Sequence, residues 1–475
     1  MSFLLSYTPP SNQHFQKQAI YYIKTNLAPI TERTYKMTKD MTSGSTLRHI
    51  INFAVPLCMG MLFQQLYSMV DTMIEGKVLG VQPLAGVGAT GSLNFMIIWF
   101  CIGICNGFSI PIAQAFGANK EVELRRYVAN STWLCIFFSI VITFFVAIFT
   151  RNMLVLLKTP EDIFEYAYIY ILIIFLGIPC TFLYNFLAGV ARALGDSKTP
   201  LFFLILSSVI NIILDFVLMI PIPLGVAGAA IATVISQGVS GLICLFYMKN
   251  KFAILHGSRD EWRIRGSYMK QLCSIGVPMG LQYSITAIGS LVITAAVNAL
   301  GATAVAGVTA AQKISNLITC PIESLGQTMA PYVGQNIGAG KKERVSDGLK
   351  KASVCGFIWS VICIPIVLFF GKPMTLLFLS EPNAKVVEYS FLFLLVSTLG
   401  FCLLTLVNTV RFSIQGMGFS SFAMTAGVLE MAARTIAGIV LAPMFGYIGI
   451  CLSNVLAWIF ADAFLLPAFR HCIKK

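Results

Sequence analysis

The stretch INFAVPLCMGMLFQQLYSMV, residues 51–70, followed directly by Asp71, decides the reading of this chain. A run of this length without charge is what a helix needs to cross a hydrocarbon core of about 30 Å. Asp71 closes the run. A carboxylate inside such a span costs roughly 2.5 to 3.5 kcal/mol on insertion scales, so its retention points to function. Gln64, Tyr67, Ser68 and Asp71 fall at i, i+3, i+4 and i+7, which lines them up on one helical stripe. That stripe is expected to face a wet cavity, with Gln64 and Tyr67 on its wall, while the rest of the helix faces lipid.

Composition extends this reading to the whole chain. Of 475 residues, 57% are hydrophobic and only 11% charged, against about 25% charged in soluble domains. The chain reads as an all-α integral membrane protein. Its net charge of +13 suggests nucleic acid until the distribution is considered. Lysines and arginines cluster in short loops between apolar runs, as the positive-inside rule expects. Thirteen cysteines occur without a CxxC pair, and the four histidines lie outside the spans. This pattern argues against zinc and haem. Residues 1–46 are polar and lack the layout of a signal peptide. They are expected to form a disordered cytoplasmic tail, or else the natural start is Met37 or Met41.

Twelve spans are expected, near 48–74, 88–116, 129–150, 166–191, 199–221, 225–248, 270–298, 304–335, 351–371, 387–411, 420–442 and 446–469. Assigning alternate loops to opposite sides leaves only Lys77, Arg151, Lys158, Lys372 and Lys385 on one of them. Both termini are therefore expected in the cytoplasm. The chain also repeats. LGVQPLAGVGA at 79–89 matches LGATAVAGVTA at 300–310, and the same shift pairs Gln114 and Gly117 with Gln335 and Gly338. A shift of 223 pairs Asn185 and Gly195 with Asn408 and Gly418. Six spans per half is an even number, so the halves are parallel and related by an axis along the membrane normal. The expected units are an N-terminal lobe at 47–250, a cytoplasmic linker at 251–268 and a C-terminal lobe at 269–475, with WRIRGSYMKQL as a possible interfacial helix. Two facing bundles suit alternating access around a midplane site.

The intramembrane polar residues then sort by lobe. Asp215 follows Asn211 by four residues and shares its helix face. With Asp71, Asn185 and Thr233 they offer a set of oxygens that suits Na⁺ or a proton equally well. A polar network that merely joins helices is the structural alternative. The acidic set is confined to one lobe, since a shift of 223 carries Asn211 to Arg434 and Asp215 to Gly438. Glu430 and Arg434, at i and i+4, are expected to neutralise each other in a structural or gating role. Glu323 and Lys313 have no local partner and are candidates for the second-lobe cavity. Arg192 and Asp196 read as a salt-bridged loop latch. No GxxxxGK[ST] occurs, so ATP is not hydrolysed on this chain.

Taken together, PLCMGMLFQQLYSMVDTMIEGKVLGVQPLAGVGA, IAQAFGANK, NFLAGVARALGDSKTP, NIILDF, PLGVAGAAIATVISQ and VGQNIGAGK resemble the multidrug and toxic compound extrusion (MATE) family over residues 45–470. The resemblance implies secondary antiport: export of amphipathic, cationic drugs or metabolites in exchange for H⁺ or Na⁺, with no cofactor. It implies a coupling-ion set of Asp71, Asn185, Asn211, Asp215 and Thr233, and a helix-bending role for Pro56. One branch of the family carries a glutamate in the context GVPMGLQYS, where this chain has Gln282 as a cavity residue. The expected setting is a monomer in the prokaryotic cytoplasmic membrane, whose partners are the lipid bilayer and small molecules rather than nucleic acid. A flippase of lipid-linked precursors in the same superfamily is the runner-up. A polytopic membrane enzyme and a channel are the rivals from other classes.

Overall fold

The structure, a computed structural model, describes residues 39–378 and 383–475. Every regular element among the described residues is helical. Long uncharged runs leave backbone N–H and C=O groups no partner in hydrocarbon except their own helix. The first half comprises α1 (Thr46–Leu79), α2 (Val81–Ala89), α3 (Gly91–Gly117), α4 (Glu121–Leu156), α5 (Glu161–Leu176), α6 (Ile178–Ala193), α7 (Lys198–Met219) and α8 (Val226–Lys251). The second comprises α9 (Gly266–Ala299), α10 (Ala302–Gly338), α11 (Lys342–Leu376), α12 (Ala384–Leu399), α13 (Phe401–Gly416), α14 (Ser420–Ile436), α15 (Ala442–Phe445) and α16 (Tyr447–Lys474).

Among the described residues, nine single segments are long and apolar enough to cross a membrane, and two bent pairs, α5–α6 and α12–α13, add a span each. The 37-residue α10, which carries Lys313 and Glu323, completes the expected twelve. Pro56 lies inside α1, which continues through it.

The repeat is written in the backbone. The two bent pairs turn by 47° and 53°, and they do so at Gly177 and Gly400, which are 223 residues apart. Each glycine is pressed against a neighbouring helix. A Cβ on Gly177 would lie 2.3 Å from Val234 Cγ2, and one on Gly400 2.9 Å from Val455 Cγ2. Gly225 and Gly446, at φ 60° and 59°, start α8 and α16 from the left-handed region that glycine enters without a Cβ penalty.

Two apolar cores form, one per lobe, but the chain crosses between them. Ile50, Phe53 and Ala54, from the first turns of α1, belong to the core of the second lobe, together with Met41. Leu272, from the first turns of α9, belongs to the core of the first. The helices at the expected lobe boundaries of 47 and 269, α1 and α9, each begin in the opposite lobe's core.

Two expectations about the polar segments change. Of the expected tail 1–46, residues 1–38 lie outside the described residues, whereas residues 39–44 pack against the helices and Met41 is fully buried. The linker carries no separate interfacial helix. Arg259–Trp262 is a 3₁₀ turn closed by a capping box at Ser258, and α9 begins at Gly266. The linker is fastened to α4: Arg125 donates to both Glu261 oxygens at 2.9 and 3.1 Å, Arg265 N–H donates to Asn130 Oδ1 at 2.9 Å, and Trp133 Nε1 donates to the Trp262 carbonyl at 3.1 Å. These hydrogen bonds hold the segment against its own lobe, where an interfacial helix would have to swing free.

Candidate functional site

The first lobe brings its acidic set together where α1, α7 and α8 meet. On α7, Asn211 and Asp215 share the inner face and are 2% and 0% exposed. Tyr67, one turn before Asp71 on α1, donates its hydroxyl to Asn211 Oδ1. Asn211 Nδ2 lies 3.4 Å from Thr233 Oγ1 on α8. With its amide turned over, Asn211 donates to Asp215 Oδ2 at 3.2 Å and accepts from the Thr233 N–H at 3.1 Å. The carboxyls of Asp71 and Asp215 lie within hydrogen-bonding reach of each other. Two adjacent carboxylates in low dielectric are not stable together unless a proton or a cation is shared between them. Tyr67, the residue read as cavity wall, is thus part of this cluster, and Gln64 is exposed one turn away. Asn185 bonds within its own helix: its Nδ2 donates to the Thr181 carbonyl at 2.9 Å, one turn back on α6.

The second lobe holds a different centre. Glu430 accepts from Arg411 of α13 and, at 3.5 Å, from Arg434 of its own helix. All three are at most 8% exposed. The expected Glu430–Arg434 pair is therefore half of an Arg–Glu–Arg triad whose closer arm comes from another span. Gln282 does not stand on an open cavity wall. It is 4% exposed, and its Oε1 accepts from Gln415 Nε2 at 2.6 Å, so packing between α9 and α13 takes up the amide. Glu323 is half-buried and accepts from Thr319 at 3.4 Å. Lys313 lines a cavity of about 470 Å³ with Ala302, Val305, Thr309 and Phe378.

The lobes meet at the end of the bundle that carries the basic loops, where α3, α6 and α10 finish. A Cβ on Gly117 would fall 1.9 Å from the Gln335 carbonyl oxygen, and one on Gly338 would fall 1.9 Å from that of Gln114. Residues 39–44 strap this seam. The Lys39 N–H donates to the Leu194 carbonyl at 3.0 Å, the Met41 N–H to Gln335 Oε1 at 2.9 Å, and Gln335 Nε2 to the Ala193 carbonyl at 2.9 Å. Lys341 Nζ donates to the Thr42 carbonyl at 2.9 Å, and Arg344 to the Met41 and Gly44 carbonyls. One short segment thus satisfies backbone and side-chain groups from both lobes at once.

A sequence profile of the MatE family matches residues 56–217 and 278–444, one block in each lobe. The chain belongs to the MatE family. It is 32% identical over 349 residues to "Probable multidrug resistance protein YpnP" of Bacillus subtilis, covering 73% of this chain and 77% of that one. It is 22% identical to "Multidrug export protein MepA" of Staphylococcus haemolyticus, covering 87% and 91%. A crystal structure of a MATE protein in complex with MaL6 superposes with a TM-score of 0.84 at 20% identity, covering 92% of this chain and 99% of that one. MATE proteins are transporters, and this chain is a multi-pass membrane transporter rather than an enzyme.

Two arginines of this MATE protein escape the sequence reading. Both stand at the ends of expected spans, where the sequence assigns Arg411 no role and Arg192 a latch with Asp196. Arg411 instead turns inward to Glu430, nineteen residues on, a partner that helical periodicity does not reveal. Arg192 makes no latch with Asp196. Its Nη2 donates to Asn106 Oδ1 of α3 at 2.9 Å, while Asp196 accepts from the Lys198 and Thr199 N–H groups at the start of α7. A carboxylate spent on the first N–H groups of a helix is no longer placed to hold the guanidinium.

Proposed function

We propose that this MATE protein is a secondary antiporter that exports amphipathic, cationic small molecules in exchange for an ion bound in its first lobe. The observation that carries the reading is the Asp71–Asp215 carboxyl contact, joined through Asn211 to Thr233 and Tyr67. Relatives named for multidrug resistance and multidrug export support the cargo class.

We take a proton as the coupling ion, because one proton held by either carboxyl and accepted by the other satisfies both groups. On this reading the buried Asp215 and half-buried Asp71 exchange one proton with water on the side from which the ion enters. Its arrival lowers the charge of the pair from two negatives to one and lets α1 and α7 pack. Its departure leaves a charge that a cationic cargo can balance. Coupling follows only if the ion prefers one conformation, since equal affinity shifts nothing. The distribution of basic loops supports a cytoplasmic position for both termini. The strapped seam then closes the cytoplasmic end, so the structure corresponds to a state whose access is from outside. The protein works as a monomer in the cell membrane, one copy holding both lobes.

The test is efflux of an ethidium-like dye from proteoliposomes with a pH gradient and a Na⁺ gradient imposed separately. Asp71→Asn and Asp215→Asn should each assemble and lose gradient-driven efflux by tenfold or more. Full transport in both would remove the first-lobe site, and efflux driven by Na⁺ alone would replace the proton by sodium.

A further inference from the structure

The second lobe contains a buried carboxylate that the proposed antiport does not use. Asp462 on α16 is 5% exposed, and neither of its oxygens has a hydrogen-bond partner. Its surroundings are charged. From α13 comes Arg411, close enough to attract it electrostatically. From α14 come Glu430, which holds Arg411, and Arg434, which Glu430 also holds. From α9 comes the phenol of Tyr283, which interacts with Arg411, and the buried residues of α12 are neutral.

Two carboxylates therefore compete for Arg411, and Glu430 holds it along with Arg434. Asp462 is left with an attractive neighbour but no donor. An ionised carboxylate in that position is among the most expensive arrangements a protein interior can hold. Two remedies exist. A proton can bind Asp462, or Arg411 can leave Glu430 for Asp462, with Arg434 remaining on Glu430. Arg411 is suited to the exchange, since its Nε is also buried without a partner. A metal cation is a poor third choice, because it needs about six oxygen ligands and would sit beside two guanidiniums.

We propose that Asp462 is a second proton-binding site, located in the C-terminal lobe, and that its protonation sets which carboxylate holds Arg411. A proton bound at an Asp462 oxygen neutralises the group and leaves Arg411 on Glu430, as in this structure. Its release returns one negative charge, which the Arg411 guanidinium meets by moving across. The exchange shifts α13 relative to α14 and α16, the helices that carry these groups, and so ties protonation to the packing of the second lobe. The site is independent of the Asp71–Asp215 pair, and either can fail without the other.

The experiment is a pH titration of the full-length protein in lipid, followed by infrared difference spectroscopy of the protonated-carboxyl C=O stretch. Asp462→Asn should remove one component of that band, which Asp71→Asn and Asp215→Asn leave in place. Glu430→Gln, which frees Arg411, should move the proton activity at which this component disappears by at least tenfold. Glu430→Gln keeps Asp462 itself intact, so it reads the same component should Asp462→Asn fail to assemble. The proposal falls if no component depends on Asp462 or if Glu430→Gln leaves the titration unmoved. Loss of the component on adding Na⁺ at constant pH would also overturn it, in favour of a metal-ion site.

Discussion

Gly117→Ala tests whether the strapped seam is a gate. The added Cβ would sit 1.9 Å from a backbone oxygen, that of Gln335. No side-chain rotation relieves such a contact. Reaching even 3.0 Å requires the two helices to part by about 1.1 Å, at the position where the Met41 N–H and Gln335 Oε1 are joined at 2.9 Å. Overpacking of a close interface costs about 1–3 kcal/mol, which moves a two-state equilibrium by about 5- to 150-fold. The substitution should therefore favour the state in which the basic end is open. Hydrogen exchange of a peptide spanning residues 39–44 reads this directly, because the Lys39 and Met41 amides are held across the seam. Their exchange should accelerate by that factor, since local opening sets the rate. Gly338→Ala should do the same from the other side, and the double variant should do less than the sum, because either Cβ already parts the helices. Wild-type exchange of 39–44 in both single variants would refute the argument.

Two further outcomes follow from the ion pairs. Glu430→Gln and Arg411→Met each break a buried triad and should lower stability by about 3–5 kcal/mol, seen as a lower melting temperature in detergent. The double variant should recover part of the Glu430→Gln loss, because it leaves one buried guanidinium without Glu430 rather than two. At the linker, the Arg125 guanidinium holds Glu261 below the ordinary glutamate range, against the opposing effect of burial. A carboxyl depressed in the folded state adds stability above its unfolded pKa of about 4.3 and loses it as pH falls through the folded value. Glu261→Gln should thus cost about 1–2 kcal/mol near neutral pH, with the melting curves of variant and wild type converging in acid.

Much of the architecture was legible because lipid imposes it. Apolar runs of fixed length and an even number of spans per half led to twelve helices and a parallel repeat. The first-lobe cluster was legible for a related reason: Asp71, Asn211 and Asp215 are costly in a span, and helical spacing joins two of them. The second lobe was legible only in its Glu430–Arg434 arm, because the rest of its chemistry is joined across the fold. Arg411 meets Glu430 from another helix, and Asp462, alone in its span, gives no periodic signal. The strap was hidden for the opposite reason. Residues 39–44 look like a polar tail, and their hydrogen bonds come from backbone groups, which every sequence possesses.

The reciprocal contact of Gly117 with Gln335 and Gly338 with Gln114 has the geometry of an isologous dimer interface, in which each patch meets a copy of itself. In a true homodimer every residue would be used twice, so an ion site in one half would force the same site on the other. Joining the halves in one polypeptide removes that constraint. Position 211 can hold asparagine while its counterpart at 434 holds arginine, and 215 can hold aspartate while 438 holds glycine. The molecule is in effect an obligate heterodimer made by a single gene, with a twofold backbone and chemistry that differs between its halves.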